Sequence, residues 1–272
     1  MFTVLMSLYY RENPEYLRLS LESVFNQTLP PHEVILVKDG PLTPELDEVV
    51  DEYSTRHSEL KVIPLAHNLG LGRALNIGLT HCSHELVIRM DTDDICLPSR
   101  FEIQTKFMED NPDIDISGTW LTEFIDNPQN TKGVKNTPLT HSQIVKSIRT
   151  RSPFNHPTVI FRKSKVMEAG NYQHFHLLED WWLWGRMIKA GARTANIPES
   201  LLLFRTTNDS YMRRGGWKYA KNIIILQSEF YKLGITTWHD FLKCALIRIV
   251  VSSLPNSLRR FLYNNALRKK QV

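Results

Sequence analysis

Two groups of side chains in this 272-residue chain are of types and spacings that do chemistry. The first is Asp91-Thr92-Asp93-Asp94. Three carboxylates within four residues repel one another, and the apolar residues Leu86, Val87, Ile88 and Met90 deliver them to one place. A hard divalent cation relieves such repulsion: Mg²⁺ takes one or two carboxylates together with substrate phosphates, and Mn²⁺ accepts similar oxygen ligands. The bland reading is an acidic turn in which Asp93 or Asp94 caps a helix beginning near Pro98. An EF-hand is excluded, because its glycine and its distant bidentate Glu are missing at the required offsets. The second group is Leu178-Glu179-Asp180-Trp181-Trp182. Either Asp180 caps a helix starting at Trp181, or one carboxylate serves as a general base tuned by the neighbouring rings. Trp181, Trp182 and Trp184 are core residues or a platform on which the apolar face of a sugar stacks.

The elements that must position these groups follow from periodicity. Phe2–Leu8, Val34–Val37, Lys61–Pro64 and Glu85–Met90 read as strands. Between and after them, Pro14–Asn26, Pro44–His57, Leu71–Leu79 and Pro98–Asp110 read as helices, with prolines and acids near the helix starts. Such alternation predicts an α/β fold with a mainly parallel, Rossmann-like sheet flanked by helices. Ligands of these sheets gather beyond the carboxyl ends of the strands. Asp39, then Asn68 and Gly70, then the Asp91–Asp94 run fall at three such ends. Beyond residue 112 the pattern loosens. Strands are expected at Ile114–Trp120, Pro157–Arg162 and Leu201–Arg205, and helices at Gln143–Arg149, Trp181–Ala190, Lys218–Leu233, Trp238–Ser252 and Asn256–Leu267.

Composition narrows the class. The chain is 42% hydrophobic and 23% charged, which excludes disordered and fibrous proteins. Its net charge of +4 conceals an uneven division. Residues 212–272 hold 12 Lys or Arg against Glu229 and Asp240, a balance of +10, and residues 1–211 carry the compensating −6. An acidic body with a basic tail implies an anionic partner for the tail. Cys82, Cys96 and Cys244 have no metal-ligand spacing and no even pairing, which points to a reducing compartment. The apolar start Phe2–Tyr10 lacks the charge pattern of a signal peptide, and Phe241–Val251 is broken by Lys243 and Arg248. Neither secretion nor a membrane span is expected.

On several motifs in order, the chain resembles the family 2 glycosyltransferases, inverting enzymes of the GT-A fold that use nucleotide-diphosphate sugars. These are Val4-Leu5-Met6-Ser7 leading to Tyr9, Glu22–Thr28, Val37-Lys38-Asp39-Gly40, Asn68-Leu69-Gly70-Leu71-Gly72 with Asn76 and Gly78, Asp91-Thr92-Asp93-Asp94, and Glu179-Asp180 with Leu183-Trp184. The resemblance spans roughly residues 2–215. It implies that Asp39 meets the uracil ring in a pocket with Tyr9, Glu12 and Asn68. Asp91 would approach the ribose or the metal, and Asp93 would bind Mn²⁺ or Mg²⁺ bridging the two phosphates. Asp180 would be the base, with Glu179 orienting the acceptor or the base. Trp182 and His156, the latter in Asn155-His156-Pro157, are the further acceptor or diphosphate contacts.

The chain departs from the family twice. Leu75-Asn76 stands where Arg-Asn is common, leaving Arg73, one helical step away, as the substitute in donor binding. The late Arg205 is followed by Thr206 and Thr207 rather than by a histidine two residues on. Arg205, Arg213 and Arg214 are then candidates for the diphosphate.

The expected organisation is a GT-A catalytic domain over 1–211 and a basic amphipathic helical extension over 212–272. In the extension, Phe241, Leu242, Leu246, Ile249, Val250, Leu258, Phe261 and Leu262 interleave with the basic residues. That pattern fits an anionic membrane surface, and no nucleic-acid motif accompanies the charge. By resemblance to bacterial O-antigen and exopolysaccharide transferases, the expected reaction moves glucose or galactose from a UDP-sugar to a lipid-diphosphate-linked GlcNAc or GalNAc. The acceptor would be carried by undecaprenyl diphosphate at the cytoplasmic face of the bacterial inner membrane, and the new linkage would be β. Two competing readings are a catalytically silent UDP-sugar-binding partner of a membrane synthase and a nucleotidyltransferase. The latter needs a Gly-rich basic loop after the first strand, and Leu8-Tyr9-Tyr10-Arg11-Glu12 is not one.

Overall fold

Burial on both faces explains why the early strands are almost continuously apolar. The computed structural model describes residues 1–206 and 216–253, without the side chains of 248–253. Its first half alternates β1 (Phe2–Leu8), α1 (Pro14–Phe25), β2 (Glu33–Lys38), α2 (Pro44–Arg56), β3 (Leu60–Pro64), α3 (Leu71–His81) and β4 (Leu86–Met90). These strands pair in parallel in the order β3-β2-β1-β4. Leu8 lies opposite Lys38, and Met6 opposite Met90. The carboxyl ends therefore finish nearly level, which places Tyr9, Asp39 and Asp91 along one edge. The helices start where capping chemistry dictates. The Asn13 side chain accepts the N–H groups of Glu15 and Tyr16 ahead of α1, and Thr43 that of Leu46 ahead of α2.

The second half extends the same sheet. It runs β5 (Ile95–Cys96), α4 (Arg100–Asp110), β6 (Ile116–Phe124), β7 (Thr131–Lys135), α5 (His141–Ser147), a 3₁₀ turn (His156–Thr158), β8 (Ile160–Arg162) and α6 (Lys163–Glu168). Then follow α7 (Glu179–Lys189), β9 (Thr194–Arg205), α8 (Gly216–Lys232) and α9 (Trp238–Ser253). Past β4 the order is β8-β6-β9-β5, with β7 on β6. β8 is antiparallel to both neighbours, and β6 is parallel to β9. This mixed sheet flanked by helices is the GT-A architecture.

Three elements differ from the sequence reading. The strand expected over Pro157–Arg162 begins only at Ile160, because Thr158 donates its hydroxyl to Asn155 and closes a 3₁₀ turn around Pro157. The helix expected near Pro98 starts at Arg100 after Ser99, so neither Asp93 nor Asp94 caps it. β5, β7 and α6 have two, five and six residues, too few to show a period.

The core has two layers, one on each face of the sheet. α1, α2 and α4 close one around Leu17, Leu21, Leu46, Tyr53 and Phe101. α3, α7 and α8 close the other around Leu75, Leu79, Trp181, Trp184, Ile223 and Phe230. At Gly185 a Cβ would lie 2.3 Å from the Phe230 ring, so α8 packs directly on α7. The described part of the 212–272 extension thus shares the catalytic core. Arg213, Arg214 and the helix expected at Asn256–Leu267 lie outside the described residues. Cys82, Cys96 and Cys244 are buried and form no disulfide. Among the described residues no helix is long and apolar enough to cross a membrane.

The β2 terminus shows how tightly the backbone is specified at the ligand edge. Gly40 has φ +89°, and a Cβ there would sit 2.6 Å from the Asn68 backbone nitrogen, which cannot rotate away. Gly40→Ala is expected to cost about 1–3 kcal/mol, read as a fall in melting temperature. Nucleotide affinity should fall with it, because the Asn68 loop must shift. An unchanged melting temperature would show that this loop is not held against β2.

Candidate active site

The ends of β1, β2 and β4 and the start of α3 build one wall of the site. Asp39 is buried, and its carboxylate accepts the N–H groups of Leu69 (2.6 Å) and Gly70 (3.0 Å). The exposed Asn68 donates its amide to the Asp39 carbonyl at 3.0 Å. Asp39 therefore staples the loop that starts α3, and its oxygens keep further lone pairs. Tyr9 and Glu12 follow β1. Glu12 receives the Thr92 hydroxyl at 2.9 Å, which ties it to the acidic loop. Burial, opposed by its hydrogen bonds, raises the Glu12 pKa. Of the residues expected to bind the donor, Tyr9, Glu12, Asp39, Asn68, Asp91 and Asp93 fall along this edge. Arg73 does not join them at the acidic loop. It is exposed on α3 and lines a cavity of about 400 Å³ with Leu69, Asn76, Tyr172 and His174.

The acidic loop holds three carboxylates whose oxygens lie within 4.8 Å of one another, those of Asp91, Asp93 and Asp94. Burial, with Asp91 and Glu12 nearby, pushes the Asp93 pKa up to about 7. Asp94 is fully buried and shifts further in the same direction, through burial and then the Asp93 charge. One Asp94 oxygen accepts the Arg205 N–H at 2.8 Å, while the other is buried without a partner. An orphaned carboxylate oxygen beside two more carboxylates is a hard oxygen donor set that fits Mg²⁺ or Mn²⁺. The sequence gives Asp91 and Asp93 as candidate metal ligands; the geometry brings the Asp94 carboxylate into the same cluster.

Arg205 holds this loop from within the protein. Its Nε donates to the Asp93 carbonyl at 2.9 Å. Its guanidinium lies 3.7 Å from the Tyr16 ring centre and 4.6 Å from that of Phe124. With 2% of its surface exposed, it braces the backbone on which Asp93 sits, which differs from the diphosphate contact expected of it.

The facing wall is the first turn of α7. The helix begins at Glu179 after Leu178, so Asp180 is not a cap. Glu179 is buried, and burial followed by the Asp180 charge pushes its pKa up to about 7. The Ser152 hydroxyl reaches Asp180 at 3.4 Å. α7 approaches α3 closely: a Cβ at Gly72 would lie 3.1 Å from the Glu179 Cβ. Of the three tryptophans, Trp181 and Trp184 are core, and only Trp182 keeps a surface. Its indole donates to Gln173 at 2.9 Å and stacks on Phe230. His156 pairs with the Tyr172 hydroxyl at 3.1 Å. Burial and then the Arg89 charge push its pKa well below the ordinary histidine value, so it is neutral.

The site thus presents an acidic edge whose donor set fits a cation, together with a carboxylate pair at a helix start. Sequence reasoning missed Arg89, which pairs with Asp91 through Nη2. The available signal was an arginine inside an otherwise apolar strand.

A family model described as Glycosyl transferase family 2 matches residues 3–170. The UDP-Gal:alpha-D-GlcNAc-diphosphoundecaprenol beta-1,3-galactosyltransferase of Escherichia coli is 40% identical over 268 residues, covering 98% of this chain and 97% of its own. The amylovoran biosynthesis glycosyltransferase AmsE of Erwinia amylovora is 41% identical over 263 residues, covering 97% and 98%. Among solved structures, the S. aureus TarS fragment with UDP-GlcNAc superposes with a TM-score of 0.66 at 18% identity, covering 95% of this chain and 69% of its own. The mannosyltransferase PcManGT of Pyrobaculum calidifontis, with GDP-Man and Mn²⁺, gives 0.61 at 16% identity, covering 97% and 79%. At these identities the structural likeness establishes the fold.

Crowded carboxylates predict a trade of stability against cation binding. Asp93→Asn removes one charge from the cluster and should raise the melting temperature of the metal-free protein by a few degrees. The same variant should lose the further rise that millimolar Mn²⁺ gives the unsubstituted protein. An Mn²⁺ response equal to that of the unsubstituted protein would remove Asp93 from the cation site.

Proposed function

The chain belongs to glycosyl transferase family 2, and on that premise we propose that it is an inverting, cation-dependent galactosyltransferase. It would move galactose from UDP-galactose to an N-acetylhexosamine carried on undecaprenyl diphosphate, in building a bacterial surface polysaccharide. The observation that carries this reading is the acidic Asp91–Asp94 edge facing the Glu179–Asp180 turn, in a chain 40% identical over nearly its whole length to a transferase of that specificity. Glucose remains the competing donor hexose.

The chemistry follows from the two walls. Asp39 and the Asn68 loop would take the uracil, with Tyr9 and Glu12 beside it. Asp91, Asp93 and Asp94 would hold the cation, which when bound stabilises the charge gathering on the departing diphosphate. Asp180 would accept the proton of the acceptor hydroxyl as its oxygen bonds to the anomeric carbon and the bond to UDP breaks. One displacement inverts the centre, so an α-linked donor gives a β-linked product. A positioned base contributes about 10²–10⁴-fold to such a step. Glu179, Trp182 and the neutral His156 would orient the acceptor.

The acceptor's lipid suggests where the enzyme works. α9 exposes Trp238, Leu242 and Leu246, spaced four residues apart, and Tyr231 contacts Trp238 from α8. Lys232 and Lys243 flank this stripe. Aromatic and apolar side chains beside lysines suit the interface of an anionic bilayer. The proposed location is therefore the cytoplasmic face of the inner membrane.

Two measurements test the reading. Incubation with a panel of UDP-sugars, Mn²⁺ and a GlcNAc-diphosphoryl-lipid should release UDP and give a β-linked product from UDP-galactose, with linkage read by NMR. Asp180→Asn should cut kcat by about 10³-fold while UDP affinity stays within about twofold. A fully active Asp180→Asn variant would remove the base assignment, and UDP binding without turnover on any lipid acceptor would leave a silent binding partner. Separately, Trp238→Ser with Leu242→Ser should sharply reduce co-sedimentation with phosphatidylglycerol vesicles at unchanged melting temperature. Equal sedimentation would exclude this face as the contact.

A further inference from the structure

Arg89 is the one charged residue of β4, and it is among the largest fully buried side chains of the protein. Alternation along the strand puts it on the face of Val87, toward the layer closed by α3 and α7. Asp91, two residues on, shares that face, and the Arg89 Nη2 pairs with its Oδ1. The other two guanidinium nitrogens, Nε and Nη1, are buried with no partner. Taking a cation out of water costs several kcal/mol, and one ion pair with half the donors unused recovers that cost poorly. Packing alone would be served better by an aliphatic side chain, so the charge itself needs an explanation.

The surroundings supply one. Around Arg89 lie Asp91 and Asp94 of the donor wall, Tyr172 beneath, and Glu179 of the acceptor wall, each felt electrostatically. The 3₁₀ turn carrying His156 packs on the same strand, where the Arg89 N–H donates to Val159 at 2.9 Å. Of the neighbouring cations, Arg205 lies between the Tyr16 and Phe124 rings, and Arg100 of α4 donates through Nη2 to the Arg89 carbonyl at 2.8 Å and through Nε to Gln104. The geometry points to Arg89 as a positioning residue of the transfer reaction: it fixes Asp91 and supplies positive charge, buried in the layer closed by α7, beside the acceptor-side carboxylate Glu179. The inference rests on the transfer reading above. It adds a link between the two walls that acts without touching substrate.

The groups that act on Glu179 are its own backbone N–H and Asp180 at the start of α7, Arg89 of β4 and Asp91 after it, and Tyr172 in the intervening segment, while Gly72 of α3 packs against its Cβ. The N–H and Arg89 favour the ionised carboxylate, Arg89 being the one side chain among these that does so, and Asp180 and Asp91 oppose it. Removing the cation must therefore raise the pH at which this wall ionises. The test is the pH profile of kcat at saturating UDP-sugar, Mn²⁺ and lipid acceptor for the unsubstituted enzyme, Arg89→Gln and Arg89→Lys. The Gln variant should shift the acid limb upward by about one pH unit and lower kcat at pH 7 by about 10-fold or more. The Lys variant should keep the limb in place yet remain several-fold slower, because its shorter side chain does not carry the ammonium to the place from which Nη2 holds Asp91. A Gln variant slowed by the same factor at every pH would show a purely structural role and overturn the inference. If the Gln variant does not fold, the Lys variant decides: an upward-shifted limb, or kcat equal to that of the unsubstituted enzyme, overturns it. Absence of turnover in the unsubstituted enzyme would instead refute the transfer reading itself.

Discussion

Negative charge crowded at the carboxyl edge of the parallel strands is the constraint to which the rest of the site answers. Like-charged carboxylates in a partly desolvated place favour dispersal or protonation, and the raised pKa values of Asp93, Asp94 and Glu12 express that. The loop is held regardless, and the holding is done by its backbone. Ser20 donates to the Asp91 carbonyl, Arg205 to the Asp93 carbonyl, and the Arg205 N–H to Asp94. These bonds come from α1 and β9, elements distant in sequence. Carboxylates fixed in this way cannot move apart, and a cation or a proton becomes their means of relief. That is the preorganisation a site needs when charge appears on a leaving group.

Small residues bring the second wall within reach of the first. Gly70 begins α3 at φ +85°, and Gly72 lets the α7 turn come within contact of α3. A side chain at Gly72 would meet Gln173 and Glu179, so the two walls would separate. In a direct displacement the nucleophile and the leaving group lie on opposite sides of one carbon, and misplacement of either wall by about 1 Å carries a large rate cost. The glycine-rich entry to α3 thus serves geometry at both walls at once: its N–H groups bind Asp39, and its missing side chains admit Glu179.

The first half of the fold was legible because each strand is buried on both faces and each helix on one, so hydrophobicity reports the element directly. The Asp91–Asp94 run was legible as a carboxylate cluster that fits a cation because charge repulsion is local in sequence. What was not legible depends on partners far away. In sequence Asp180 fits either a cap or a general base, and the helix start at Glu179 places it inside the first turn. Arg205 was taken for a ligand contact because its side chain is cationic; that Tyr16 and Phe124 enclose it is a fact of tertiary structure. Arg89 was hidden by averaging, since one arginine scarcely alters the apolar character of its strand. For Trp181, Trp182 and Trp184 the sequence leaves core packing and a sugar platform both open, and burial of Trp181 and Trp184 decides two of them for the core.

The basic extension changes meaning once its packing is known. Charge alone divides the chain near residue 212, whereas Ile223, Leu226, Phe230 and Cys244 sit in the same layer as Trp181 and Trp184. α9 is joined in turn to the segment before the 3₁₀ turn: Arg149 pairs with Asp240 at 3.5 Å, and three residues later Ser152 reaches Asp180. The helix with the exposed aromatic stripe is therefore mechanically continuous with the Asp180 carboxylate. A flexible tether would leave a lipid-borne sugar free to meet the site in any orientation. A helix pair packed into the core fixes the angle between the outer surface and Asp180. For an acceptor whose diphosphate is pinned at a membrane, fixing that angle selects which hydroxyl arrives at the base.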